Sequence, residues 1–161
     1  MSDGCKIAEE IYNRLFTDKV NVRFKYIEKQ EMFIGVVRQS GLELALGEII
    51  CYLDHDDMFG VNHLAIIDEC FDTDKYDWVY YNDFLVKNAA HTVVEERLVK
   101  PKQNFIGTSA IAHKRSIGVV WGNEYGHDMD MIRNYLLPLP YTKIPTPQYY
   151  VCHCAGLNID F

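Results

Sequence analysis

A short apolar segment that runs into a cluster of acids constrains the fold of this chain more than any other part of its sequence. Residues 48–53 form a nearly continuous apolar run, which is typical of a strand buried in a parallel sheet. Asp54, His55, Asp56 and Asp57 follow it directly. Carboxylates this close repel one another unless a cation or water neutralises them, and ligands bind at the carboxyl ends of strands in open α/β sheets. The segment therefore predicts a ligand site at the end of a strand.

Asp54 and Asp56 are the predicted cation ligands of this site. In an extended segment, two residues separated by one other point to the same side, so their carboxylates can converge on a single ion. Carboxylate oxygens are the preferred partners of Mg²⁺ and Mn²⁺. The alternative is a solvated loop in which Asp57 only caps the helix that follows, and the acidic run taken alone favours that alternative.

Apolar periodicity predicts alternating helices and strands along the first half of the chain. Helices are predicted over residues 5–16, 33–46 and 61–71, and strands over 22–27, 48–53 and 77–81. In the second half, strands are predicted over 93–99, 105–112 and 148–152, and helices over 114–121 and 127–137. The β-α-β spacing predicts one α/β domain over residues 1–161, Rossmann-like and with a mainly parallel sheet.

Charge and hydropathy exclude two broad classes of function. The chain has 16 Lys and Arg residues against 23 Asp and Glu residues, a net charge of −7, and no basic run. Because phosphate contacts to nucleic acid need clustered cations, we expect no nucleic-acid partner. The longest apolar runs are much shorter than a bilayer span, so we expect no transmembrane segment. An acidic protein that binds an anionic substrate usually needs a metal ion or helix N-termini at the contact.

The cysteines indicate a reducing compartment. The chain has five of them, an odd number, and they stand in or near apolar runs without a signal peptide. We therefore expect free thiols and a cytoplasmic location. Residues 152–154 (Cys-His-Cys) lack a second pair at zinc-finger spacing, which disfavours a structural zinc site.

Residues 38–57 closely resemble the central signature of the family-2 glycosyltransferases of the GT-A fold. That signature has an Arg-Asn-x-Gly-like helix, an Ala-x-Gly-Glu turn, an apolar strand and Leu-Asp-x-Asp-Asp. Residues 2–4 (Ser-Asp-Gly) resemble the end of the family's Asp-Asp-Gly-Ser turn, and residues 125–128 (Tyr-Gly-His-Asp) more loosely resemble its late Glu-Asp motif.

The resemblance implies metal-dependent transfer of a sugar from a nucleotide-diphosphate donor to an acceptor hydroxyl, with inversion. The donor would be of the UDP or GDP type, the metal Mn²⁺ or Mg²⁺, and the acceptor a glycan or another hydroxyl compound. Asp56 would bind the metal that bridges the diphosphate, and Asp54 would lie near both ribose and metal. His153 would be a further metal ligand; its alternative is a half-buried histidine in an aromatic strand.

The resemblance also implies three roles outside the metal site. Asp128 would be the general base on the acceptor hydroxyl, Arg38 would lie near the nucleotide base, and Asp3 would contact uracil. Each has an ordinary structural alternative: a favourable charge at a helix N-terminus for Asp128, a surface charge for Arg38 and an N-cap for Asp3.

Two departures from the family pattern bear on the function. His127 replaces the glutamate that precedes the late aspartate, and the chain starts at residues 1–4, so the family's first strand is absent. We therefore expect an N-terminally shortened domain whose open sheet edge must be covered, for instance in a homo-oligomer. A non-catalytic nucleotide-sugar or metal-binding remnant is the alternative function. A phosphotransferase or nucleotidyltransferase is disfavoured because no Gly-x-x-x-x-Gly-Lys loop is present.

Overall fold

A computed structural model describes residues 9–11, 13–14, 22–25, 27, 34–86, 94–102, 105–144 and 149–152. The predicted site residues Asp3 and His153 lie outside these ranges. Within the ranges, no helix is long and apolar enough to cross a bilayer.

The first of two four-stranded sheets carries the strand that ends in the acids. Its strands, in spatial order, are β1 (Ile49–Cys51), β6 (Ile111–Lys114), β3 (Trp78–Tyr81) and β7 (Tyr141–Ile144). Strand β6 is antiparallel to both β1 and β3, whereas β3 and β7 are parallel. Strands β1, β3 and β7 therefore run in one direction and β6 runs against them.

The second sheet begins immediately after the acids. Its spatial order is β2 (Met58–Phe59), β8 (Tyr149–Val151), β4 (Asp83–Val86) and β5 (Val94–Arg97). Strands β4 and β8 are parallel, and the pairs β2–β8 and β4–β5 are antiparallel. Phe59 pairs with Tyr149, which brings β8 beside the segment that leaves the acids.

Besides the helical residues 9–11, 13 and 14, the described ranges contain α1 (Ile34–Leu44), α2 (His63–Phe71) and α3 (His127–Met131). Helix α3 continues into a π-helical turn over Ile132–Leu136. Short 3₁₀ turns cover Thr108–Ala110 and Arg115–Ile117.

The core has one cluster on each face of the first sheet. Trp78 packs with Ile132 and Leu136 of the π-helical turn, whereas Val79 packs with Ile67 of α2 in the other cluster. Successive side chains of a strand point to opposite faces, so adjacent residues of β3 enter different clusters. Ile50 of β1 belongs to the first cluster, and Ile49 and Cys51 pack against the second, so β1 lies between the two clusters.

The predicted mainly parallel sheet is wrong, because both sheets are mixed. The β-α-β unit β1–α2–β3 does contain parallel strands, but β6 lies between them in the opposite direction. Apolar periodicity shows which residues face a core and not which way a strand runs. Strand β4 was not predicted as a separate strand, because it lies in the longer apolar stretch that begins with β3.

Most predicted elements form, with shifted ends. The helices over 33–46, 61–71 and 127–137 are confirmed, and residues 9–11, 13 and 14 of the first predicted helix are helical. The strand predicted over 22–27 is wrong at the described residues 22–25 and 27, which are neither strand nor helix. The helix predicted over 114–121 is also wrong, since its one 3₁₀ turn ends at Gly118, where φ is +67°. The strand predicted over 105–112 begins only at Ile111.

Gly35 determines how closely α1 approaches the segment that leads into α3. A Cβ atom at this position would overlap the carbonyl oxygen of Gly122 and lie 3.2 Å from the ring of His127. The absence of a side chain at Gly35 thus permits the contact between α1 and His127. On the same helix, Gly41 has open space around it.

Candidate active site

A cavity of about 600 Å³ lies where the acids after β1 meet the start of α3. Asp54 and Asp57 line one part of it and Asp128 another. Its volume falls within the range of roughly 300–1,000 Å³ that is usual for ligand sites. Two other depressions are of similar volume, 620 and 630 Å³, but neither includes Asp57 or Asp128. Convergence of polar groups, and not size, marks the candidate site.

Arg38 is held in this cavity by three contacts. Its Nη2 atom donates to Asp54 Oδ1 at 2.9 Å, and its Nη1 atom lies 3.2 Å from His127 Nε2. Its guanidinium lies over the ring of Trp121, 5.4 Å from the centroid. The side chain is only 13% exposed, so these contacts fix it in place. Helix α1 therefore places the guanidinium group of Arg38 at the end of β1.

His127 contacts Arg38 through one ring nitrogen and the backbone through the other. Its Nδ1 atom lies 2.9 Å from the carbonyl oxygen of Glu124, which can only accept, so Nδ1 carries the proton. The other ring nitrogen, Nε2, then accepts from Arg38. His127, at the position where the expected motif has a glutamate, thus contacts Arg38 without adding a negative charge.

Tyr149 makes hydrogen bonds to both ends of the acid loop, Asp54–Asp57. The Tyr149 hydroxyl donates to Asp57 Oδ2 at 2.8 Å and accepts from the Asp54 N–H at 3.2 Å. The Cys152 N–H donates to Asp57 Oδ1 at 2.9 Å. Burial raises the pKa of Asp57, although the hydrogen bonds that it accepts from Tyr149 and Cys152 favour its charged form. Asp57 is therefore occupied in tying the loop to β8.

Asp56 is more exposed than the two other acids of the loop. Its side chain is 42% exposed, and its Oδ1 atom lies 3.8 Å from His55 Nδ1. Within the described ranges, no group of three or more His, Cys, Asp or Glu side chains forms a metal site. Mg²⁺ is usually held by one or two carboxylates, with substrate phosphates and water completing the shell. The donor chemistry of the loop fits a cation that binds together with a diphosphate.

An ion pair between a buried aspartate and a half-exposed arginine forms another part of the cavity wall. Asp83 is 1% exposed and accepts two hydrogen bonds of 2.6 Å from Arg97 Nε and Nη2. These bonds raise the pKa of Arg97. The adjacent Asn82 donates to Glu96 at 2.6 Å and accepts from the Val99 N–H at 3.0 Å. The wall is rigid because each of its buried polar side chains named here has a partner.

Asp128 lies in the first turn of α3, opposite the acid loop. Gly126 precedes this turn with φ of +86°, a left-handed conformation that suits glycine, and directs the chain into the helix. One carboxylate oxygen, Oδ1, accepts from the Met129 N–H at 2.8 Å. Residues 105–109 line the same cavity. Asp128 and this segment therefore share one cavity with the acid loop.

The cavity has more carboxylates than cations. Its charged lining residues are Asp54, Asp57, Asp83, Asp128, Arg38 and Arg97. The two arginines form ion pairs with Asp54 and Asp83, and Arg97 also interacts electrostatically with Asp57, so four carboxylates face two guanidinium groups. A diphosphate would be repelled here unless a cation entered with it.

The structure thus brings together three of the predicted site residues, Arg38, Asp54 and Asp128, around one cavity. Asp56 belongs to the same loop but does not line that cavity. Sequence reasoning missed the roles of Tyr149 and of the Asp83–Arg97 pair. A lone acid in the apolar stretch 78–86 was a signal for a buried ion pair, since buried carboxylates are usually paired. For Tyr149 no comparable signal exists.

The fold that holds this cavity is similar to a glycosyltransferase fold of the GT-A type. The structures that show this are of S. aureus TarS, a family-2 GT-A glycosyltransferase. TarS 1–349 in complex with UDP-GlcNAc matches with a TM-score of 0.74 and 16% sequence identity over 97% of this chain and 48% of that one. The complex with UDP gives a TM-score of 0.73 and 15% identity, over 94% and 48% of the two chains.

An identity of 16% shows the fold alone, and at that level the resemblance seen in the sequence is confirmed. The chain spans about half of the TarS chain, 48% of its length. No protein-family model and no curated protein matches the sequence.

Proposed function

We propose that this chain binds a nucleotide-diphosphate sugar together with Mn²⁺ or Mg²⁺ and transfers the sugar to an acceptor hydroxyl. One observation carries the proposal: Asp54, paired with Arg38, and Asp128 line a single cavity within a GT-A fold. TarS structures contain UDP-GlcNAc and UDP, which supports a UDP-type donor.

Asp56 and Asp54 would hold the cation, with His153 as a further predicted ligand outside the described residues. When bound, the cation would neutralise charge on the departing nucleoside diphosphate. The excess of carboxylates in the cavity supports this role, because the protein alone offers the diphosphate little positive charge. Arg38, fixed against Trp121, would orient the nucleotide portion of the donor.

Asp128 would remove the proton from the acceptor hydroxyl. As the acceptor oxygen bonds to the anomeric carbon, the bond from that carbon to the diphosphate oxygen breaks, and the proton passes to the carboxylate. A single displacement of this kind inverts the anomeric centre. Both ring nitrogens of His127 are engaged, one by Arg38 and the other by the Glu124 carbonyl, which leaves Asp128 as the base nearest to the start of α3.

The first test is thermal stabilisation of the full chain by UDP, with and without Mn²⁺. We expect a rise in melting temperature that needs both, because the described residues alone do not complete a metal site. Asp56→Ala should abolish the rise. Asp72→Ala removes an exposed acid just after α2 and is the matched control, which should retain it.

Release of UDP from UDP-GlcNAc then separates an enzyme from a binding module. Mn²⁺-dependent binding without release in the presence of hydroxyl acceptors would favour the non-catalytic alternative. A stabilisation that persists in Asp56→Ala would refute the metal-site assignment. If UDP has no effect on the wild-type chain at any Mn²⁺ concentration, the proposed function is wrong.

A further inference from the structure

One buried hydroxyl contacts both ends of the acid loop. Tyr149 has no solvent exposure, and its hydroxyl lies between the backbone N–H of Asp54 and the carboxylate of Asp57. The Asp57 N–H also donates to the Asp54 carbonyl at 3.1 Å, which closes the loop into a turn. The first and last residues of the loop are therefore held to each other and to one side chain.

The ring of Tyr149 is itself fixed by packing, so its hydroxyl has a defined place. It makes an edge contact with Phe59, the residue with which it pairs in the second sheet, at 5.5 Å between ring centroids. His63 of α2 lies on another side, at 6.3 Å. The packing of Tyr149 in the core and its place in β8 thus determine the position of the acid loop.

We propose that Tyr149 is a positioning residue for cation binding: its hydroxyl holds the acid loop in the one shape in which Asp54 and Asp56 present their carboxylates together. This inference rests on the proposed function. Asp57 is not a cation ligand. Its two carboxylate oxygens accept hydrogen bonds from Tyr149 and Cys152, and these bonds attach the loop to β8. Partners that orient metal ligands typically change metal affinity about 10- to 100-fold when removed.

Tyr149→Phe is the direct test, because it removes the hydroxyl and keeps the ring in the core. At saturating UDP, the Mn²⁺ concentration that gives half of the maximal thermal stabilisation should rise about tenfold or more. Tyr81→Phe is the matched control. Tyr81 is 1% exposed, and its hydroxyl contacts the Ile111 carbonyl at 3.3 Å and His63 Nε2 at 3.4 Å, with no hydrogen bond to the acid loop among the described residues.

The control separates positioning from general loss of stability. Both variants lose a buried hydroxyl and should have lower melting temperatures without ligand, but only Tyr149→Phe should change the Mn²⁺ midpoint. Amide hydrogen exchange adds a reading without metal, since the Asp54 N–H loses its acceptor and should exchange faster in Tyr149→Phe alone. Equal Mn²⁺ midpoints in the two variants would overturn the inference while leaving the proposed function intact.

A second variant covers the case in which Tyr149→Phe does not fold. Asp57→Glu keeps the negative charge but displaces the carboxylate by one methylene, so it disturbs the same hydrogen bonds. It should raise the Mn²⁺ midpoint in the same direction, and an unchanged midpoint would overturn the inference. A wild-type chain that shows no Mn²⁺ response refutes the proposed function, and the cation-binding role of Tyr149 with it.

Discussion

Arg38 and Asp54 form an ion pair, with 2.9 Å between Nη2 and Oδ1, that ties helix α1 to the end of β1. The second carboxylate oxygen of Asp54 lies 3.3 Å from the same nitrogen. A cation that approached Asp54 would therefore share its carboxylate with a guanidinium. Asp56, at 42% exposure, is the acid of the loop most accessible to solvent, and the position of α1 is part of the site.

Asp128→Asn should lower kcat for sugar transfer by about 10²- to 10⁴-fold, the usual contribution of a general base. An amide cannot accept the proton from the acceptor hydroxyl, although it occupies nearly the same space. UDP- and Mn²⁺-dependent thermal stabilisation should be unchanged. Asp130→Asn alters an exposed acid in the same first turn and is the control. Equal rates for the two variants would exclude Asp128 as the base.

Gly35→Ala should destabilise the chain by about 1–3 kcal/mol, because the added methyl group overlaps the Gly122 carbonyl in a packed contact. Gly41→Ala, on the same helix with open space around it, should instead stabilise the chain by up to about 1 kcal/mol through helix propensity. Denaturant unfolding measures both. Destabilisation of similar size in the two variants would contradict the close approach of α1.

Arg97→Gln should lower the free energy of unfolding by about 2 kcal/mol. Removing one partner of a buried ion pair costs about 3–5 kcal/mol, and the 44% exposure of the Arg97 side chain reduces this loss. The comparison is Arg133→Gln, whose exposed pair with Asp130 is worth less than about 1 kcal/mol. Equal effects in chemical denaturation would show that Asp83 does not depend on Arg97.

His113 should make stability fall as the pH is lowered below about 6.5. Burial lowers the pKa of this histidine in the folded chain, and its ring nitrogens are both occupied, by the Tyr52 hydroxyl at 2.8 Å and the Lys114 carbonyl at 2.9 Å. The unfolded chain then binds more protons than the folded one between the folded pKa and about 6.5, so acid favours unfolding.

The measurement is the free energy of unfolding between pH 7.5 and 5 for the wild type and for His113→Gln. The slope contributed by one histidine is at most about 1.4 kcal/mol per pH unit. The variant should be less stable at neutral pH but should have a shallower slope, while the other histidines contribute equally to both proteins. Parallel curves would contradict the prediction.

The sequence predicted those features that depend on a single helix or strand and not on its packing against others. The apolar run before Asp54 predicted β1 and the acids at its end, and helical periodicity predicted α1, which carries Arg38. The position of Asp128 in the first turn of α3 followed in the same way. These are local properties, because each depends on a spacing of a few residues.

What the sequence could not reveal depends on packing between distant segments. The antiparallel insertion of β6 and the hold of Tyr149 on the acid loop join residues far apart in the chain. Burial of Asp83 with Arg97 depends on the pairing of β4 with β5. No local pattern specifies which hydroxyl or guanidinium meets which carboxylate, so these relationships emerge only from the folded arrangement.

The place of β6 also affects how the chain is made. Among the described residues, β1 and β3 are joined only through β6, which leaves the ribosome much later than either. Until residues 111–114 emerge, both earlier strands lack their common neighbour, and their backbone edges are open to other chains. The nascent protein should be most dependent on chaperones during that interval, when the segment that leads into the acids is least protected.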